Sequence, residues 1–227
     1  MHILALETTG AHASAAIIDE AGRVYEKRSA GVLNHLQCLM PMTQELLTET
    51  GTQLRELTAI AASRGPGSFT GIRIGVSSAR ALAQALRIKT IAVPTLQAFA
   101  YNAPEYTGLI CPVFDARRSQ VYAGAYQWKD GHIEEVIKGA PYSIEAFLAQ
   151  VDEAGEERLF FGDGTAAYSS YFKPDQLAPE AVRLQSAASV ARLSLDLYKR
   201  GRSMAYEELK PEYMRKAEAE RKLEEKS

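Results

Sequence analysis

An acid closes each of two apolar runs in this chain, Glu7 after Ile3–Leu6 and Asp115 after Leu109–Phe114, and each opens a turn. Acids so placed can face each other across a cleft and hold a phosphate-bound magnesium ion, which takes oxygen ligands from carboxylates and phosphates. They can equally cap their own turns by accepting backbone amides. A second candidate is the run Arg64-Gly65-Pro66-Gly67-Ser68-Phe69-Thr70-Gly71-Ile72-Arg73. Its glycines allow φ > 0 and close backbone approach, and it opens a helix whose first amides attract anions. A phosphate loop of the G-x-x-x-x-G-K-[ST] kind needs a lysine after the last glycine, and Ile72 stands there instead. Glu7, Thr8, Gly65, Gly67, Ser68, Gly71, Asp115, Gly162 and Gly164 therefore form the candidate set, as a cleft or as structural loops.

Other chemistries lack their residues. The histidines are His2, His12, His35 and His132, with no pair at helical ligand spacing, so a metal enzyme built on histidine pairs is not expected. Ser68 has no histidine near it in sequence to serve as a base, and no catalytic residue is assigned. Cys38 and Cys111 stand apart in apolar surroundings, which fits a reducing cytosol. A net charge of −2 argues against holding nucleic acid by general electrostatics. No apolar run approaches the roughly eighteen residues that span a bilayer, and no signal peptide precedes the first strand, so a cytoplasmic protein off the membrane is expected.

The elements that must position these residues recur in order. The first half reads as strands Ile3–Leu6, Ala13–Ile18 and Arg23–Arg28, then a helix capped by Asn34, running to Thr50 and kinked at Pro41. Strand Ala59–Ser63, the glycine loop, helix Ile72–Leu86 and strand Thr90–Val93 follow. The second half reads as strands Leu109–Phe114, Gln120–Trp128 and His132–Lys138, helix Ile144–Val151 and strand Arg158–Phe161, with Gly162-Asp163-Gly164 opening another helix. The repeated pattern implies two duplicated α/β lobes across a cleft, at 1–103 and 104–212, with a charged tail at 213–227. Strand order is not legible in it.

Small residues recur along the second helix at Gly71, Gly75, Ser78, Ala79 and Ala83. Such a stripe admits close approach, either of the helix's own sheet or of a helix from another subunit. The candidate subunit interface is His35, Leu39, Met42 and Leu46 of the first helix with Arg73, Gly75, Val76, Ser78, Ala79 and Leu82 of the second. The end of the chain, from Lys216, alternates basic and acidic residues as a solvated helix or a loose end does.

Three stretches give the chain a family likeness: Ile3-Leu4-Ala5-Leu6-Glu7-Thr8-Thr9, the glycine loop through Gly75, and Asp115-Ala116-Arg117-Arg118-Ser119-Gln120-Val121-Tyr122. With Pro211-Glu212-Tyr213-Met214-Arg215 near the end, it resembles the TsaB (YeaZ) family over essentially its whole length. It departs from the family pattern at Glu7, where aspartate is usual, and at Met214, where leucine is. The resemblance implies ribonuclease-H-like lobes of the actin/Hsp70/sugar-kinase type and a cytoplasmic protein without catalysis of its own. It implies a TsaD-like partner carrying the metal-binding histidines that this chain lacks. That complex would transfer threonylcarbamoyl from threonylcarbamoyl-adenylate to N6 of the adenosine beside the tRNA anticodon. A TsaC-like synthase would supply the adenylate, and a TsaE-like ATPase would act on the pair. The chain alone would be a homodimer, tRNA would be met only through the complex, and ATP, ADP or magnesium only at its interface. An independent ATP-binding enzyme of the same fold and an RNA-binding adaptor are the alternatives.

Overall fold

Ile3, Leu4, Ala5 and Leu6 are all fully buried, so β1 (His2–Glu7) has no solvent face and lies at the centre of its sheet. The computed structural model describes residues 1–31, 34–155 and 157–214. β1 pairs antiparallel with β2 (Ser14–Asp19), which pairs antiparallel with β3 (Val24–Arg28). On its other side β1 pairs parallel with β4 (Leu57–Gly65), and β4 with β5 (Lys89–Pro94). The order is β3-β2-β1-β4-β5. A second sheet repeats it as β8-β7-β6-β9, from β6 (Leu109–Asp115), β7 (Gln120–Lys129), β8 (His132–Ser143) and β9 (Arg158–Phe161). It stops one strand short of the first. The fold is thus two ribonuclease-H-like α/β lobes with matching strand order.

Alternation along β1 divides the first core in two, because successive side chains of a strand face opposite ways. Leu4 and Leu6 face α1 (His35–Thr50) and α2 (Phe69–Leu86), in one cluster with Leu39, Leu46, Val76 and Ala79. Ile3 and Ala5 face the opposite side, where Val190, Ala191 and Leu195 of a late helix cover them. That helix follows α3 (Thr95–Ala98), α4 (Ile144–Ala154), α5 (Gly164–Ala167) and α6 (Glu180–Arg183), and is α7 (Ala187–Lys199). It lies within the 104–212 span by number, yet it packs on the first sheet. α4 covers the second sheet through Phe147 and Val151. Phe99, Phe114 and Phe161 meet edge-on beneath that sheet's other face and join the lobes.

Several expectations need correction. Asn34 occupies the cap position of α1 but makes no side-chain cap bond, because its backbone (φ −98°, ψ 28°) is not in the extended conformation that a cap uses. Most of the expected interface is core. Leu39, Met42, Leu46, Val76 and Ala79 bury against the first sheet, and Gly75 is buried beneath Thr8. The small-residue stripe of α2 therefore serves its own sheet, whose facing side is lined by Ala13, Ala15 and Ala62. His35 is buried too: its Nε2 donates to the Gly10 carbonyl at 3.0 Å, and burial lowers its pKa. Of that set only Arg73 is exposed, with Ser78 and Leu82 half-buried. Of the expected tail, 215–227 lie outside the described residues.

A glutamate at position 79 would bury an unpaired carboxylate in a site with no solvent access, at a cost on the order of several kcal/mol. Ala79→Glu is expected to lose the cooperative melt seen by circular dichroism, whereas Ala81→Glu, at an exposed position of the same helix, keeps it. A folded Ala79→Glu protein with an unchanged melting temperature would contradict this packing.

Candidate functional site

The glycine loop is closed by its own chain. β4 ends at Gly65 (φ +124°), a cis peptide leads to Pro66, and Gly67 follows at φ +149°. A β-carbon at Gly67 would lie 2.6 Å from the Thr9 Cβ, and one at Gly71 only 1.9 Å from the Thr8 carbonyl oxygen. The Ser68 amide donates to the Thr9 carbonyl at 2.8 Å, and the Thr8 hydroxyl donates to the Gly71 carbonyl at 2.7 Å. Ser68 caps α2, its Oγ accepting from the Gly71 amide at 3.2 Å. The turn after β1 thus fills the space that the glycines leave.

The two strand-end acids differ in surroundings. Glu7 is 1% exposed, and its carboxylate accepts from the Thr9 amide, the Thr9 hydroxyl (2.6 Å) and the Ser63 hydroxyl. Burial raises its pKa despite those donors. Asp115 is exposed; its Oδ1 accepts from the Arg117 amide at 2.7 Å and from the Tyr168 hydroxyl at 3.0 Å. Asp163 Oδ1 in turn accepts from the Asp115 amide at 3.2 Å. Solvent reaches Asp163, yet the crowding loops desolvate it enough to raise its pKa, and the charge of Asp115 adds to the shift. Gly162 and Gly164 lie against the Val113 carbonyl, where a β-carbon would come within 2.3 and 2.7 Å.

A groove of about 510 Å³ separates the lobes. Thr9, Ser68 and Thr70 give it hydroxyls on one wall, and Asp115, Arg117 and Asp163 give it charge on the other. It brings together Gly67, Ser68 and Asp115 from the candidate set, while Glu7, Thr8, Gly65, Gly71, Gly162 and Gly164 lie outside its lining. Glu7 and Asp115 therefore do not face each other across it. Thr9, Thr70 and Asp163 were missed, although their adjacency to Thr8, the glycine loop and Gly162 was a usable signal. Arg117, Arg118 and Ser119 take three successive left-handed conformations (φ 62°, 57°, 57°), which place Arg117 at the groove. Among the described residues the lining holds no histidine, lysine or cysteine, and no three histidine, cysteine or acidic side chains converge as a metal site.

The late segment, unassigned beyond its sequence signature, closes over the loop from outside. Met204 bridges Thr90, Leu209 is fully buried, and the Glu212 amide donates to the Arg64 carbonyl at 2.7 Å. The Glu212 carboxylate pairs with Arg64 at 2.8 Å. Its carbonyl oxygen lies 2.3 Å from where a Gly65 β-carbon would stand. Tyr213 stacks on Phe69 with ring centroids 4.5 Å apart.

Comparisons agree with this architecture. A family model described as TsaD, tRNA N6-adenosine threonylcarbamoyltransferase, matches residues 23–223. The chain is similar to the tRNA threonylcarbamoyladenosine biosynthesis protein TsaB of Bacillus subtilis (strain 168), 34% identical, with 98% of this chain and 97% of that protein covered. It is 31% identical to the TsaB of Escherichia coli (strain K12), with 98% of each covered. The solved structure of YeaZ from Pseudomonas aeruginosa superposes with a TM-score of 0.81 at 30% identity, covering 93% of this chain and 99% of that one.

Two outcomes test the loop. Gly71→Ala drives a β-carbon into the Thr8 carbonyl and is expected to lower stability by about 1–3 kcal/mol or more in urea denaturation; unchanged stability would mean the contact yields freely. Glu7 gives a pH effect of definite sign. A carboxyl whose folded pKa lies above its ordinary 4.5 holds its proton more tightly when folded, so its contribution to stability is full below 4.5 and is lost as pH rises through the raised value. Glu7→Gln keeps an acceptor for Thr9 and a donor for Ser63. Its stability relative to the parent is expected to improve as pH rises from 4 through that window, and a pH-independent difference would place Glu7 in a wetter site.

Proposed function

The chain belongs to the TsaB (YeaZ) family, and we propose that it acts as a non-catalytic subunit in tRNA threonylcarbamoyladenosine biosynthesis, docking a TsaD-like transferase through the outer face of α1 and α2. The observation that carries this is likeness to TsaB proteins over nearly the full length of both chains. Missing equipment supports the non-catalytic role: the groove lining has no histidine or phosphate lysine among the described residues, and the first-lobe acid is occupied by Thr9 and Ser63. A magnesium nucleotide fits this lobe poorly for that reason, so ATP, ADP or magnesium is held only where the partner completes a site.

The docking face is what the core leaves outside. Leu36 is 75% and Met40 39% exposed, one turn apart on α1, and Ile74 and Leu82 of α2 are only half-buried. Exposed large apolar side chains grouped in this way mark contact surfaces. In this reading the same face pairs with a second copy when no partner is present, since a two-fold contact is self-complementary. A TsaC-like synthase supplies threonylcarbamoyl-adenylate, a TsaE-like ATPase acts on the assembled pair, and tRNA is bound by the complex. No helix among the described residues is long and apolar enough to cross a membrane, and we place the protein in the cytoplasm with its pathway. Asp115 and Asp163, side by side on the groove wall, favour one second reading, an ATP-using enzyme with magnesium on the second lobe. Nucleotide titration of the isolated chain separates the two.

Leu36→Asp and Met40→Asp change exposed positions, so each is expected to melt as the parent does and to lose affinity for the TsaD-like protein of the same genome about tenfold or more. Unchanged co-purification and affinity in both variants would move the docking face elsewhere.

A further inference from the structure

Arg73 lies in the first turns of α2 with its side chain exposed, yet it is held in place. Its Nε donates to the Tyr213 hydroxyl at 2.9 Å, and its guanidinium carbon sits 4.2 Å from the Phe69 ring centre and 5.8 Å from that of Tyr213. Tyr213 is itself fixed by stacking on Phe69 and by Glu212, which is bound to Arg64 through both its amide and its carboxylate. One face and one nitrogen of the guanidinium are thus occupied, and the edge carrying the two terminal nitrogens remains. No carboxylate among the described residues forms an ion pair with it.

A planar guanidinium whose orientation is already set offers two parallel donors to a carboxylate, and little rotamer freedom is left to lose on binding. Arginine and tyrosine are also enriched among binding hot spots. We propose that Arg73, clamped by Phe69 and Tyr213, is a preset docking point for an acidic side chain of the partner subunit, with Tyr213 as its positioning residue. This rests on the partner-subunit reading above and extends its docking face to the start of α2. A protein carboxylate is favoured over a nucleic-acid phosphate because the neighbouring groove carries Asp115 and Asp163 and the chain is net negative.

Titration calorimetry of the full chain against the TsaD-like protein, at several salt concentrations, tests this. Arg73→Gln is expected to weaken binding about tenfold or more and to flatten its salt dependence, with an unchanged melt. Arg73→Lys restores the charge without the fork and recovers only part of the affinity. Tyr213→Phe keeps the stack, removes the hydroxyl that holds Nε, and weakens binding by less than Arg73→Gln. Unchanged affinity in Arg73→Gln, while Leu36→Asp abolishes binding, would overturn this proposal and leave the docking face standing. Unchanged affinity in all of them would overturn both. Intact partner affinity with weakened, salt-dependent tRNA binding by the assembled complex would assign Arg73 to phosphate and overturn the carboxylate.

Discussion

The carbonyl oxygen of Thr8 occupies the space that a side chain at Gly71 would need, and much of the first lobe follows from that contact. It makes the turn after β1 and the start of α2 one unit, sealed by the Ser68 amide on the Thr9 carbonyl and the Thr8 hydroxyl on the Gly71 carbonyl. α2 then lies close enough to its sheet that Gly75, one turn on, must also lack a side chain. Glu7 fixes the turn from below, and a buried acid is tolerated there because three donors converge on it. A loop that bound phosphate would hold its glycine gaps open for a ligand. Here the chain itself fills them.

The duplication is therefore architectural, and the two copies have diverged in use. At the matching strand end the second lobe keeps its acid in solvent, with Asp163 beside it, while the first lobe buries its own. The sheets diverge in cover as well. The first carries helices on both faces because α7 crosses back to it, and the second shares its inner face with the aromatic cluster of Phe99, Phe114 and Phe161. That cluster ties the lobes together through edge-on ring contacts, and one of its rings, Phe114, also lines the groove.

Strands were legible in the sequence where burial imposes a pattern. β1 reads as an unbroken apolar run because both its faces are covered, and Arg158–Phe161 was bounded as observed because glycines end it. Strand order was not, since it is decided by pairing between distant segments. α7 went unread: its buried residues include Ala187, Ser189, Ala191 and Ser194, too small and polar to stand out as a stripe. The candidate interface failed for a related reason. Leu39, Leu46, Val76 and Ala79 are apolar at helical spacing whether they bury against their own sheet or another chain, and nothing local separates the two. Exposure after folding does, and on α1 it is Leu36 and Met40 that stay at the surface.

The glycine loop and the Pro211–Met214 segment are about 140 positions apart in the chain, yet they are one structural feature. Glu212 lies over Gly65, and Tyr213 over Phe69, so each motif accounts for residues in the other: the missing side chain at Gly65 for the Glu212 carbonyl, the aromatic ring at 69 for its stacking partner. A sequence read in order sees a loop with unexplained glycines and a late signature with no chemistry. In three dimensions the late segment clamps the loop's outer side while Thr8 and Thr9 fill its inner side. With the loop held from both sides by the chain, only Gly67, Ser68, Phe69 and Thr70 of it open onto the groove, and the same clamp fixes the exposed Arg73 at the start of α2.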